Sequence, residues 1–204
     1  MQVTVNGKAV DRLEPGLERQ LTSGRPHERV EGVVMTADQA VDRAAANRRV
    51  LYAVTAGFGA LVVVLALVGA ASYEPRDLVL LVPLVLLLAA GLAMLMRFTY
   101  QRRTAKVRQR AEQQLPRMPP PGALVLVEAS ALGIGENRYS WSALVVQALD
   151  VTDTTFNDAS LILIERLELS SGADLPVVLD AQLIKNGRAV VDEIWRRLRE
   201  AAGG

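Results

Sequence analysis

No charged residue stands between Arg49 and Glu74, or between Asp77 and Arg97, although charges recur every few residues elsewhere in the chain. This segregation constrains the fold more than any average does. Val50 to Tyr73 gives about 24 uncharged residues and Leu78 to Met96 about 19. At about 1.5 Å per residue, each run is long enough for a bilayer core of about 30 Å. A helix facing water keeps one polar stripe. The segments "LVVVLALVG" and "LVLLVPLVLLLAAGLAMLM" are apolar on every face. The sequence therefore predicts a membrane α-helical hairpin, with transmembrane spans at about 50–73 and 78–96 and "SYEPRD", Ser72 to Asp77, at the tip.

Orientation follows from Lys and Arg in the flanks. Arg43, Arg48 and Arg49 precede the first run, and Arg97, Arg102, Arg103, Lys106, Arg108 and Arg110 follow the second. The connection holds only Arg76. Both termini are expected in the cytoplasm, with the protein multi-pass in a bacterial inner membrane. Pro75 suits a tight connection, and Pro83 predicts a modest kink. Ala53, Gly57 and Ala60, with Ala89, Gly91 and Ala93, form small-residue faces on which the two runs can pack, or through which a homodimer can form.

The chemistry available is narrow. There is no cysteine, and His27 is the only histidine. That excludes a thiolate metal site and a cysteine nucleophile. The aspartates of "DVTDTTFND", Asp150, Asp153 and Asp158, match no calcium-loop spacing. Gly133 and Gly135 are a lone pair in a strand context, not a phosphate loop. No catalytic residue, cofactor or metal is expected. The runs carry no ionisable group, which argues against an ion path.

The rest of the chain reads as strands and helices. Val3 and Val5 alternate before Asn6-Gly7, a hairpin-turn dipeptide, in an N-terminal segment 1–35 whose residues 1–29 are otherwise broken by Pro15, Gly16, Gly24 and Pro26 and expected to be largely mobile. "VEGVVM" reads as a strand, and Thr36 with Gln39 has capping-box spacing. Residues 36–115 are assigned to the hairpin and its basic extension. Arg102, Arg103, Lys106, Arg108 and Arg110 are candidate contacts to anionic lipid. Nucleic acid is not an expected partner, because no aromatic residues alternate with the basic ones.

"PRMPPPG" reads as a stiff linker, 116–122. From 123 to 204 several antiparallel strands are closed by a helix whose Val190, Val191, Ile194, Trp195, Leu198 and Ala201 share one face. Along "SLILIERLELSSG" the period of two puts Leu161, Leu163, Leu167 and Leu169 together, with Glu165 on the same face. This region is expected to fold by itself as a small α+β domain. Tyr139, Trp141 and Trp195 are its candidate core anchors, or alternatively a docking surface.

The layout, the acidic helix start "MTADQAVDRAAANRR" and the stretch "ALGIGENRYSWSALVV" resemble the YcxB-like family of bacterial membrane proteins. Trp141 and Ser142 match the Trp-Ser dipeptide that opens a strand in that family. The Pro-Lys-x-x-Phe stretch common there is not matched, since the region reads "LPVVLDAQLIKNG". The resemblance implies a C-terminal pleckstrin-homology-like (PH-like) domain and no established reaction. The resulting expectation is a membrane-anchored, non-catalytic interaction module that binds a protein partner or anionic lipid. The alternative is a structural or oligomeric membrane component.

Overall fold

The computed structural model describes residues 1–22, 27–46, 57, 59–60, 64, 75–156, 159–172 and 176–203. They form an α+β fold with two five-stranded sheets. The strands are β1 (Gln2–Val5), β2 (Lys8–Val10), β3 (Arg29–Val34), β4 (Leu124–Glu128), β5 (Ala131–Ile134), β6 (Asn137–Ser140), β7 (Leu144–Phe156), β8 (Ala159–Ser171), β9 (Val177–Asp180) and β10 (Ile184–Lys185). Helices α1 (Pro15–Thr22), α2 (Pro75–Gln114) and α3 (Gly187–Gly203) accompany them. Residues 37–46 are also helical. One sheet has the order β2-β1-β7-β8-β9 and the other β10-β3-β4-β5-β6.

Local chemistry explains much of this. Asn6 and Gly7 both have positive φ, 52° and 76°, the backbone of a tight hairpin turn that joins β1 to β2. Thr36 and Gln39 cap their helix reciprocally: the Thr36 N–H donates to Gln39 Oε1 at 3.0 Å, and the Gln39 N–H to Thr36 Oγ1 at 3.2 Å. In β3 burial alternates, with Val30, Gly32 and Val34 inward. Gly32 is required there, since a Cβ would come within 2.6 Å of Ile184 Cγ2 and 2.7 Å of the Lys185 carbonyl.

The long hairpin β7–β8 carries two irregularities. Pairing steps from Val146 to Ala148 opposite Leu169 and Glu168, and from Asp150 to Val151 opposite Arg166 and Ile164. Gln147 and Glu165 are therefore extra residues, and each reverses the alternation. Hence Leu169, Leu167 and Ile164 are buried, whereas Leu163 is only half-buried. The conflict that the sequence pattern leaves at Glu165 is resolved by the bulge.

The core lies where α3 meets both sheets, in contact with β3 and β4 of one and β8 and β9 of the other. Val190, Val191, Ile194 and Trp195 are at most 1% exposed, whereas Ala201 is exposed. Removing an aromatic and several aliphatic side chains from water at ~25 cal/mol per Å² makes this the main source of stability.

Several expectations are corrected here. The chain divides into two compact units, Met1–Ala40 with Arg110–Gly204, and Val41–Gln109. The strand-rich unit is thus not 123–204 alone. β3 pairs with β4, and β1 pairs in parallel with β7, so residues 122–204 alone lack an interior strand of each sheet. The described part of 1–29 is ordered into these sheets, with Val3, Leu13 and Leu21 buried. The Pro-rich stretch 116–122 is packed: Met118 is buried, and the Gly122 N–H donates to the Val34 carbonyl at 2.8 Å.

The transmembrane hairpin is corrected as well, and with it the multi-pass inner-membrane location. Among the described residues, no helix is long and apolar enough to cross a membrane. Most of the run 50–73, including Ala53, lies outside the described residues. In the run 78–96 the described side chains are Leu87, Ala90, Gly91 and Ala93 to Met96, ahead of Arg97. Helix α2, described from Pro75, continues through Pro83 to a strongly basic second half. Of the small residues, Gly57 and Gly91 have open space beside them, since a Cβ at either would meet nothing within 4 Å.

Candidate functional site

The expected site residues fall in three places. The first is the surface of α2 in the unit Val41–Gln109. Arg97, Arg102, Arg103, Lys106 and Arg108 are exposed there. Leu95, Phe98, Arg102 and Lys106 follow helical spacing, so an apolar band runs into a basic one along one side. Leu87, Met94, Leu95 and Phe98 are 50–77% exposed. The Arg102 guanidinium stacks 4.2 Å from the Phe98 ring centroid, which fixes the boundary between the bands.

Arg110, expected beside those cations, belongs elsewhere. It lies in the strand-rich unit, where its Nε donates to Asp180 Oδ2 at 2.6 Å and its Nη1 to Glu165 Oε2 at 2.6 Å. The bulge in β8 is what makes Glu165 available. Asp180 is fully buried, and its other oxygen accepts the Gln182 N–H at 2.9 Å. Burial raises the Asp180 carboxyl above the ordinary aspartate range, and the Arg110 charge pulls against that rise. Burial weakens the Arg110 cation, but Asp180 and Glu165 outweigh it and raise its pKa further.

The third place holds the aromatic residues. Trp141 sits in a 3-10 turn, Trp141–Ala143, that carries the chain from β6 of one sheet to β7 of the other. It is buried, and its indole N–H is shared between the carbonyls of Glu128 and Ala129, at 3.2 and 3.1 Å. Trp195 is 1% exposed in the core, with the Arg199 guanidinium 5.3 Å from its ring. Both pin the fold and present no face to a partner. Tyr139 is half-buried and lines a small recess with Ile134, Leu144, Leu169 and Val177.

Other acidic residues have structural partners. Asp150 lies within β7, not in a loop, and pairs with Arg166 at 2.6 Å while accepting the Thr4 hydroxyl at 2.5 Å. The Asp153 N–H donates to Asn6 Oδ1, and Asp158 lies outside the described residues. Among the described residues, no group of three His, Cys, Asp or Glu side chains is placed to hold a metal ion.

Sequence reasoning missed the buried carboxylate Glu193 on α3. It is 1% exposed and accepts from Arg196 Nη1 at 2.6 Å, Arg197 Nε at 3.0 Å and the His27 N–H at 3.4 Å. The signal was the spacing, with basic residues three and four positions on.

Asp192, next to it, is lifted by burial to about 6 against the pull of Arg188 and Arg196. Its ordinary value is 3.8, so the folded state binds the extra proton between about pH 4 and 6. Stability therefore falls as pH rises through that window. Asp192→Asn should stabilise the protein by about 1–2 kcal/mol at pH 7.5, allowing for partial exposure. In denaturation curves the gain should vanish below about pH 4. A gain that persisted at pH 3 would place its cause elsewhere.

No family model matches the chain, and neither a curated protein nor a solved structure does.

Proposed function

We propose that the chain is a non-catalytic interaction module whose helix α2 engages an anionic phospholipid surface through Arg97, Arg102, Arg103 and Lys106. The observation that carries this reading is the junction at Phe98, where exposed apolar side chains give way to exposed cations on one side of a helix. A helix with that division rests in a headgroup layer, apolar residues toward the acyl chains and cations on the phosphates. The reading requires no segment to cross the bilayer. Arg110 takes no part, because Glu165 and Asp180 hold it.

Each cation near such a surface is worth about 1 kcal/mol. The triple variant Arg102→Gln, Arg103→Gln, Lys106→Gln should therefore bind phosphatidylserine vesicles about 100-fold more weakly in co-sedimentation. Binding to phosphatidylcholine vesicles should stay weak for both proteins. Raising the salt should weaken the parent and leave the triple variant nearly unchanged. Equal binding to the two lipids by the parent protein would overturn the reading.

A further inference from the structure

The end of α2 and the residues after it meet one face of β8 and β9 through a run of charged and polar contacts. Arg110, Gln114 and Arg117 stand four and three residues apart, one side of a helix. Arg110 takes Glu165 and Asp180, each at 2.6 Å. Gln114 accepts from Arg166 at 3.5 Å, and Arg117 pairs with Glu168 at 3.0 Å. Arg166 and Asp180 are directly paired across β8 and β9, so they share a face, as do Glu168 and Val178. Ala111 is the one apolar side chain of 110–117 that is buried.

Two features show that this seam is built. The β8 bulge inserts Glu165 out of phase with its neighbours and delivers it to Arg110. Asp180 is a fully buried carboxylate whose one cation is supplied by the helix. A surface meant for permanent packing would carry leucines at these helix positions. Arg110, Arg117 and Glu165 are instead 28%, 49% and 30% exposed, so water and salt reach the seam.

We infer that residues 110–117 form a strap held by ion pairs, which detaches from β8–β9 as a unit while the two sheets stay folded. Its release uncovers Glu165, Glu168, Asp180 and Arg166, an acidic face on the outside of the sheet. The strap opens with rising salt, because screening shortens the reach of charge from about 10 Å at 0.1 M to about 3 Å at 1 M. Arg110 carries two of the four contacts and sets the opening.

Hydrogen exchange of the full chain, read by mass spectrometry over peptides within 107–118 and within β7–β8, tests this. Arg110→Gln should speed exchange in 107–118 by about tenfold, the equivalent of about 1.4 kcal/mol of lost protection. Exchange in β7–β8 should change less than twofold. Going from 0.05 to 1 M NaCl should speed 107–118 in the parent and have little effect on Arg110→Gln. Arg117→Gln, at a more exposed pair, should act in the same direction and more weakly, and keeps the test open should Arg110→Gln fail to fold. Arg110→Lys should restore part of the salt dependence. If salt leaves 107–118 unchanged in the parent, or if 107–118 and β7–β8 speed up together in every variant, the segment is ordinary packing and the inference fails.

Discussion

Trp195→Ala should lower the stability of the strand-rich unit by about 3–5 kcal/mol, the cost of emptying a fully packed aromatic site. Trp195 is 1% exposed among Val191, Ile194 and Leu198 on a helix that touches both sheets. Urea denaturation followed by circular dichroism would show a lower midpoint with an unchanged slope. A shift below 1 kcal/mol would mean that α3 is not the keystone of this core. Trp195→Phe separates size from polarity. Among the described residues the indole N–H has no hydrogen-bond partner, so its loss should cost nothing beyond the smaller ring.

Glu193→Ala should cost a similar 3–5 kcal/mol for a different reason. The side chain is 1% exposed and holds the guanidinium groups of Arg196 and Arg197, themselves 11% and 16% exposed. Truncation leaves two poorly solvated cations side by side. Glu193→Gln keeps the volume and removes only the charge, so it should recover less than half of the loss. Thermal melts of both variants at 0.05 and 1 M NaCl would check the assignment. If Glu193→Gln proves as stable as the parent, Glu193 acts through packing and not through its charge. Arg197 also donates to the His27 carbonyl at 2.9 Å, so the damage should spread to the chain leading into β3.

What could be read from sequence was local. Asn6-Gly7 announced its turn, Thr36 and Gln39 their cap, and the spacing of Val190, Val191, Ile194 and Trp195 the buried side of α3. Each of these signals depends on residues within a few positions of one another. The bulge at Glu165 was illegible because alternation assumes an unbroken period of two. A shift of one residue is decided by the partner strand, and the pairing of β1 with β7 joins segments that no local pattern connects. Glu193 was overlooked because a glutamate beside an apolar stripe ordinarily faces water. Of the candidate site, the cations Arg102, Arg103 and Lys106 were found as a group. Arg110 was grouped with them by sequence proximity, although the fold gives it to Asp180. The uncharged runs at 50–73 and 78–96 dominated the reading, and most of the first lies outside the described residues.

The parallel pairing of β1 with β7 has a consequence for how the protein is made. Thr4 meets Asp150 across 146 residues of chain. A ribosome adding about 5–20 residues per second needs roughly 7–30 s to cover that distance. During that interval β1 has its hairpin partner β2 but not the strand that anchors it, and Val3, 1% exposed in the finished fold, is bare. A two-stranded hairpin is marginal in water by itself. The nascent N-terminus must therefore wait unfolded, and a slow stretch of translation anywhere between β2 and β7 would lengthen its exposure to chaperones and proteases.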